Sequence, residues 1–480
     1  MNVSLNVSFL QELLNSVAEQ GRHLLPRSLR GPGRESDITG LVGALNSNRG
    51  EASGVAIASE LLRRYRGLSP DGRLDFLKFL SRTIQPDPAG VARAARAYLS
   101  GPEAKSLRAL QRAVESPRLE FFRRLNLAPG ATAEIVAMRR DLLATGDPSL
   151  APLDGDLRHL LASWFNRGFL VLRRIDWNTP AAILDKIIAY EAVHEIQGWD
   201  DLRRRLDPED RSCFAFFHPS LIDEPLIFVE VALMGDVPGS IGAVLREAPK
   251  NGDVAGKPTT AVFYSISNCQ EGLRGISFGN FLIKQVAEDL LKERPSLKTF
   301  VTLSPVPAFS EWLDGVLSGS DSGRLVSPEE RERLSVLDDP HWAGSGAVAE
   351  ALKPALLRLA AEYFLNEKAA DGRPLDPVAR FHLGNGARLE RINWLGDTSL
   401  KGLKEGHGLM VNYRYELKDI ERNHEAYANE GTVAASKQVH ALLKRAKPRS
   451  EPVTATATTK LLRIARLRPA KPGADQPEGP

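Results

Sequence analysis

The chain has little cysteine, almost no net charge and no long apolar run. Its two cysteines, Cys213 and Cys269, among 480 residues, exclude a disulfide framework and a structural zinc site, and fit a reducing cytosol. The 63 basic and 60 acidic residues leave a formal charge of +3. That surplus is too small to argue for a nucleic-acid partner. No apolar run approaches the roughly 20 residues of a membrane span. The opening "MNVSLNVSFLQELL" lacks the basic-then-apolar pattern of a secretory signal, and "PEGP" at the other end carries no readable address. A cytoplasmic protein with no membrane partner is therefore expected. No His/Cys/Asp/Glu grouping has a metal-ligand spacing, so no metal is expected.

What is present is enough apolar sequence, 42%, for a large core and two or three domains. Up to about residue 165 the pattern is helical, in "SFLQELLNSVAEQGRHLL", "LDFLKFLSRTI", "GVARAARAYLS", "AEIVAMRRDLLAT" and "LRHLLASWFNRGFLVLRRI", with apolar residues recurring at three and four. Beyond Asp176 strands alternate with helices. "CFAFFHPS", "PLIFVEVALM", "TAVFYSIS" and "KTFVTLS" are rich in Val, Ile, Phe and Tyr and read as strands. The helix "FGNFLIKQVAEDLLKERP" between the last two predicts a right-handed crossover that sets those strands side by side and parallel. Ser327 and Glu330 form a capping box in "SPEERERLSVL", and Pro354 is accommodated in the long helix after it. From about Lys444 the chain is basic and rich in Pro, Thr and Ala, the composition of a disordered tail that either solubilises or grips a partner. The expected organisation is α+β: an all-helical bundle over 1–165, an α/β domain with a mixed sheet over 166–445, and the tail over 446–480.

Three segments could carry chemistry. In "SISNCQEGLRGISFGNFLIKQV" a strand runs into a loop holding Gly272, Gly275 and Gly279, which opens onto a helix. Such a loop either cradles a pyrophosphate on its backbone N–H groups or is a structural turn. Neither the Walker nor the Rossmann spacing is present. In "TFVTLSPVPAFSEWL" Pro305 and Pro307 force the strand to end at or just past Ser304, on the sheet edge that carries the glycine loop. Ser304 is either a reactive hydroxyl or an ordinary turn former. In "LDPVARFHLGNGARLERINWLGD" Asp376 caps a short helix, Pro377 starts it and Gly384-Asn385-Gly386 stops it. His382 then lies in the last turn, where the helix dipole would favour an imidazolium and hence a proton donor. A histidine that only caps its own carbonyls is the other reading.

These segments, in this order and with "GFLVLRRIDW", "AYEAVHEI" and "GLMVNYRYEL" around them, resemble the malonyl-CoA decarboxylase family. The resemblance implies a helical bundle followed by a GNAT-like catalytic domain. It implies a carboxy-lyase that converts malonyl-CoA to acetyl-CoA and CO2 through an enolate. It makes Ser304 and His382 the catalytic pair. The malonyl-CoA contact would be Arg274, Gly275, Ile276, Ser277, Phe278, Gly279 and Asn280, together with Ser304 and His382. Many relatives carry an acid where this chain has Ser277. The thioester carbonyl is the electron sink, so no cofactor is implied beyond the coenzyme A of the substrate. A homo-oligomer is expected. The alternatives are a GNAT-type acyl-CoA-dependent acyltransferase and a silent acyl-CoA sensor, against which the retained serine and histidine argue.

Overall fold

The computed structural model describes residues 38–47, 50–245, 257–276, 282–319 and 325–444. "SFLQELLNSVAEQGRHLL" and the tail beyond Lys444 lie outside them. From Ile38 to Trp164 the described chain is helical. Side-chain caps explain several of its boundaries. Ser69 accepts from Gly72 N ahead of the helix Pro70–Thr83, and Asp87 accepts from Ala89 N and Gly90 N ahead of Pro88–Ser100. Leu61, Phe76, Leu77, Leu80, Phe121, Phe122, Ile135, Leu157 and Leu161 are buried where the helices meet; each such side chain stabilises the fold by about 1.5–3 kcal/mol relative to exposure.

The helical expectation for "LRHLLASWFNRGFLVLRRI" holds only as far as Trp164. Asn166 accepts from Gly168 N and closes a short turn, and Val171–Ile175 is a strand, β1. Of β1 only Ile175 is buried. An edge strand of this kind leaves a weak periodic signal.

β2 (Arg211–His218), β3 (Leu221–Met234) and β4 (Thr260–Asn268) continue from β1 with antiparallel pairing. The buried face of the helix Leu282–Glu293, carrying Ile283, Val286 and Leu290, then covers the crossover to β5 (Thr299–Thr302), which is parallel to β4 as expected. β6 (Ser304–Pro305), β7 (Arg388–Asn393) and β5 all pair antiparallel with β8 (Met410–Arg414). The result is an eight-stranded mixed sheet in the order β1-β2-β3-β4-β5-β8-β6, with β7 beside β8. An antiparallel run that gives way to one parallel pair, beside a helical region, is the expected α+β arrangement with a mixed sheet. The capping box at Ser327 and Glu330 is present, and Pro354 lies within the helix Gly346–Leu365. Among the described residues no helix is long and apolar enough to cross a membrane.

Two irregularities position the site. Glu230 faces Ser265 while Val231 faces Phe263, so Tyr264 is an extra residue on β4, a bulge that bends the strand and re-aims its side chains. The β4–β5 register ends at Phe263 and Thr302, with Leu303 N still donating to Phe263 O. Past that bond β4 runs on to Asn268, while the neighbouring chain turns away to pair with β8. The strands diverge and a cavity opens between them.

Candidate active site

That cavity, about 260 Å³, is lined by Phe263, Tyr264, Ile266 and Asn268 of β4, by Ser304 and Pro305, by Val193, and by Pro377, Val378, Phe381 and His382. Ser304 is not the last residue of β5, which ends at Thr302. It opens β6, where Pro305 ends the strand after a single further residue. Ser304 Oγ lies 2.9 Å from Thr302 Oγ1, to which it donates, and 3.1 Å from His382 Nε2.

His382 lies, as expected, in the last turn of the helix Pro377–Gly384, with Asp376 Oδ1 accepting from Ala379 N at 2.7 Å. Its Nδ1 is 2.8 Å from the Tyr415 hydroxyl. The ring stacks on Tyr413 with centroids 4.6 Å apart. Because Ser304 gives its hydrogen to Thr302, the proton between Ser304 and His382 is carried by Nε2, and Nδ1 accepts from Tyr415. The charge state is a correction to the sequence reading. Burial pushes the His382 imidazole down to about 3, so it is neutral near pH 7 and the pull of the helix end is overridden. Burial also raises the Asp376 carboxyl to about 6.

The glycine loop divides. Gly275 has φ +77, open space around it, and a place with Ile276 on the wall of a second cavity of about 860 Å³. Arg373, Arg380 and His424 also line that cavity, and Asn268 and Phe381 belong to both cavities, so the two adjoin there. Arg274 points outward, in a loose pair with Glu271. Gly272 has another role than the one its loop suggested. A Cβ there would run into the Val136 carbonyl of the helical region, so this glycine allows a close approach of backbone to backbone. Ser277, Phe278, Gly279 and Asn280 lie outside the described residues.

The residue pattern pointed to neither Thr302 nor Tyr415. Thr302 stands two positions before Ser304, a spacing that invites contact along an extended chain, and Tyr413 and Tyr415 share a face through the alternation in "NYRYEL". Glu191 was missed as well. Its buried carboxylate accepts from the hydroxyls of Ser265 and Ser267 and from the N–H groups of Val193 and His194, which holds Val193 against the small cavity.

The malonyl-CoA decarboxylase C-terminal domain family matches residues 168–453 of the chain, and the malonyl-CoA decarboxylase N-terminal domain family matches 84–165. The mitochondrial malonyl-CoA decarboxylase of Anser anser anser is 38% identical over 415 residues, 80% of this chain and 82% of its own length. That of Rattus norvegicus is 39% identical over 355 residues, 69% and 72% of the two chains. The crystal structure of malonyl-CoA decarboxylase from Rhodopseudomonas palustris is similar with a TM-score of 0.82 at 53% identity, over 85% of this chain and 100% of the other. The one from Agrobacterium vitis gives 0.80 at 55%, over 85% and 100%.

Proposed function

The chain belongs to the malonyl-CoA decarboxylase family, the carboxy-lyases that turn malonyl-CoA into acetyl-CoA and carbon dioxide, and we propose that the small cavity at Ser304 and His382 is where the carbon–carbon bond breaks. The observation that carries this reading is the 3.1 Å contact between Ser304 Oγ and His382 Nε2, in a cavity that adjoins, at Asn268 and Phe381, a larger one walled by Arg373 and Arg380 as well as by Asp371 and Glu430. Gly275 and Ile276, with Arg373, Arg380 and His424, would receive the phosphates of coenzyme A. The thioester would then enter the narrow space with its malonyl group towards Ser304.

When the bond to the carboxylate carbon breaks, its electron pair moves into the thioester to make an enolate, and the carboxylate leaves as CO2. The thioester carbonyl takes the charge, so no metal or organic cofactor enters the scheme. One proton is consumed at the carbon left behind. His382 supplies it through Ser304. Both neighbours of the ring are hydroxyls, which accept or donate as it requires, and no carboxylate holds it charged. Burial by itself keeps the imidazole neutral; a malonyl carboxylate brought beside it favours the charged form. Substrate thus draws a proton from solvent into the site. The imidazolium passes its Nε2 proton to Ser304 Oγ while the serine hydrogen goes to carbon, and the ring returns to neutrality. An apolar wall strengthens each of these interactions.

We place the enzyme in a reducing compartment, the cytosol, because Cys213 and Cys269 are buried free thiols; the vertebrate relatives are named as mitochondrial. Copies of the chain are proposed to associate through the helical region, where Leu99 and Val114 are exposed, and sedimentation velocity reads that state. The reaction itself is tested by incubating the protein with malonyl-CoA, with and without an amine. Acetyl-CoA and CO2 in equal amounts, indifferent to the amine, are expected.

A further inference from the structure

Arg139 ties the helical region to the cavity read as the coenzyme A site. It is almost completely buried, 1% exposed, on the helix Ala131–Thr145. Its Nε donates to Asp154 Oδ1 at 2.7 Å. Its Nη1 donates to two carbonyl oxygens far along the chain, those of Gly272 at 2.8 Å and Arg274 at 2.9 Å. One turn earlier on the same helix, the Val136 carbonyl occupies the space that a side chain at Gly272 would need. Helix and turn therefore meet through backbone as well as through the guanidinium.

A buried cation is costly unless it is neutralised and fully hydrogen-bonded, and apolar packing would join two elements at least as firmly. What a guanidinium adds is direction. Its rigid plane holds Asp154 on Nε while Nη1 reaches two carbonyls, and those two bracket Leu273 and stand just before Gly275. Among the described residues the other backbone bonds within the turn are local, from Leu273 N to Gln270 O, Arg274 N to Glu271 O and Ile276 N to Leu273 O. They shape the turn, and its start is held to β3 by Cys269 N on Leu226 O and Gln270 Nε2 on Pro225 O; Arg139 holds the part that follows, up to Arg274 beside the cavity that Gly275 and Ile276 line.

We infer that Arg139 is a positioning residue for substrate binding: it anchors the turn from Gly272 to Ile276 on the helical region, so that Gly275 presents its backbone to the diphosphate of coenzyme A. The inference rests on the reading of the wide cavity as the coenzyme A site, and it makes the helical region part of the support of that site. The effect should fall on binding, and only on the part of the substrate that carries phosphate.

The experiment compares Arg139→Met and Arg139→Lys with the unaltered chain on malonyl-CoA and on malonyl-pantetheine, which lacks the diphosphate and the nucleoside. In Arg139→Met the KM for malonyl-CoA and the inhibition constant of free coenzyme A should rise about tenfold or more, the scale of losing charge-assisted hydrogen bonds. Turnover should stay close to normal, and kcat/KM for malonyl-pantetheine should fall far less. Arg139→Lys should lie between, since a single ammonium lacks the second, rigidly placed nitrogen that holds Asp154 while Nη1 binds the carbonyls. Should the methionine variant fail to fold by circular dichroism, the lysine variant carries the same comparison. Equal losses on both substrates, a loss in kcat instead of KM, or unchanged kinetics in a folded variant would each overturn the inference. Gly275→Val, run beside them, separates the clamp from the site. Normal coenzyme A affinity there with weakened Arg139→Met keeps the clamp and moves the phosphate away from Gly275. Weakened Gly275→Val with normal Arg139→Met keeps the site and removes the clamp.

Discussion

The wide cavity and the narrow one meet at Asn268 and Phe381 and differ in almost every other respect. The first, about 860 Å³, is walled by Gly275, Arg373, Arg380, His424 and the chain around Asn429 to Gly431. The second, about 260 Å³, places Ser304 and His382 among Phe263, Ile266, Val378 and Phe381. A wide space that offers two guanidinium groups and backbone, beside the carboxylates of Asp371 and Glu430, suits a large, hydrated handle, whose binding energy can be spread over many weak contacts. A narrow apolar space suits a step in which charge moves, because electrostatic interactions strengthen where water is excluded. On the proposed reading the difference teaches that this fold would separate holding from reacting, in two spaces that meet at Asn268 and Phe381.

Substitutions should fall on one side of that division. The largest effect is expected in the narrow cavity, where His382→Asn or Ser304→Ala should lower kcat by on the order of 10²-fold or more while coenzyme A affinity holds. The double variant should lose less than the product of the two, because the residues act as a unit. Independent, multiplicative losses would assign them to different steps. Next comes Gly275→Val, where a β-branched side chain must adopt a left-handed backbone. Calorimetry should show coenzyme A binding weakened by about tenfold, the loss of roughly one good contact, with turnover at saturation little changed. A fall in kcat instead would blur the two cavities into one.

A smaller loss is expected from Tyr415→Phe, which removes the hydroxyl beside His382 Nδ1. It should reduce kcat by roughly tenfold, the scale of one hydrogen bond to an ionising group, and leave KM unmoved. An equal change in KM would give Tyr415 a binding role. The least conspicuous effect concerns acid stability. His382 titrates in the folded protein at about 3, below the ordinary histidine value of 6.5, so the unfolded chain binds its proton first. The contribution is complete above about pH 6.5 and is lost as pH falls towards 3. Thermal melts of His382→Asn should therefore decline less steeply with acid over that window than those of the unaltered protein. Parallel curves would show that the ring is not held neutral.

Parts of this account were legible in the residues. Pro305 and Pro307 announced the break after β5, and Asp376, Pro377 and the stop at Gly384 delimited the helix that carries His382. The crossover between β4 and β5 followed from the order of the segments. What stayed hidden was tertiary. The charge of His382 depends on burial against Tyr413 and Tyr415, which reach it only through the pairing of β8. Gly272 looked like a phosphate-loop glycine, yet its contact is a helix so far back in the chain that Arg139 and Gly272 are 133 positions apart. β1 looked helical because an edge strand with one buried residue has no two-fold pattern to show.

The most direct test of the central claim, decarboxylation through an enolate in the narrow cavity, is the reaction run in heavy water with an amine present. Acyl transfer makes no new carbon–hydrogen bond, whereas an enolate must take a proton that has exchanged with solvent. Mass spectrometry should find acetyl-CoA carrying deuterium on its methyl group, matched mole for mole by CO2. Acylated amine without CO2, or acetyl-CoA free of deuterium, would contradict the account.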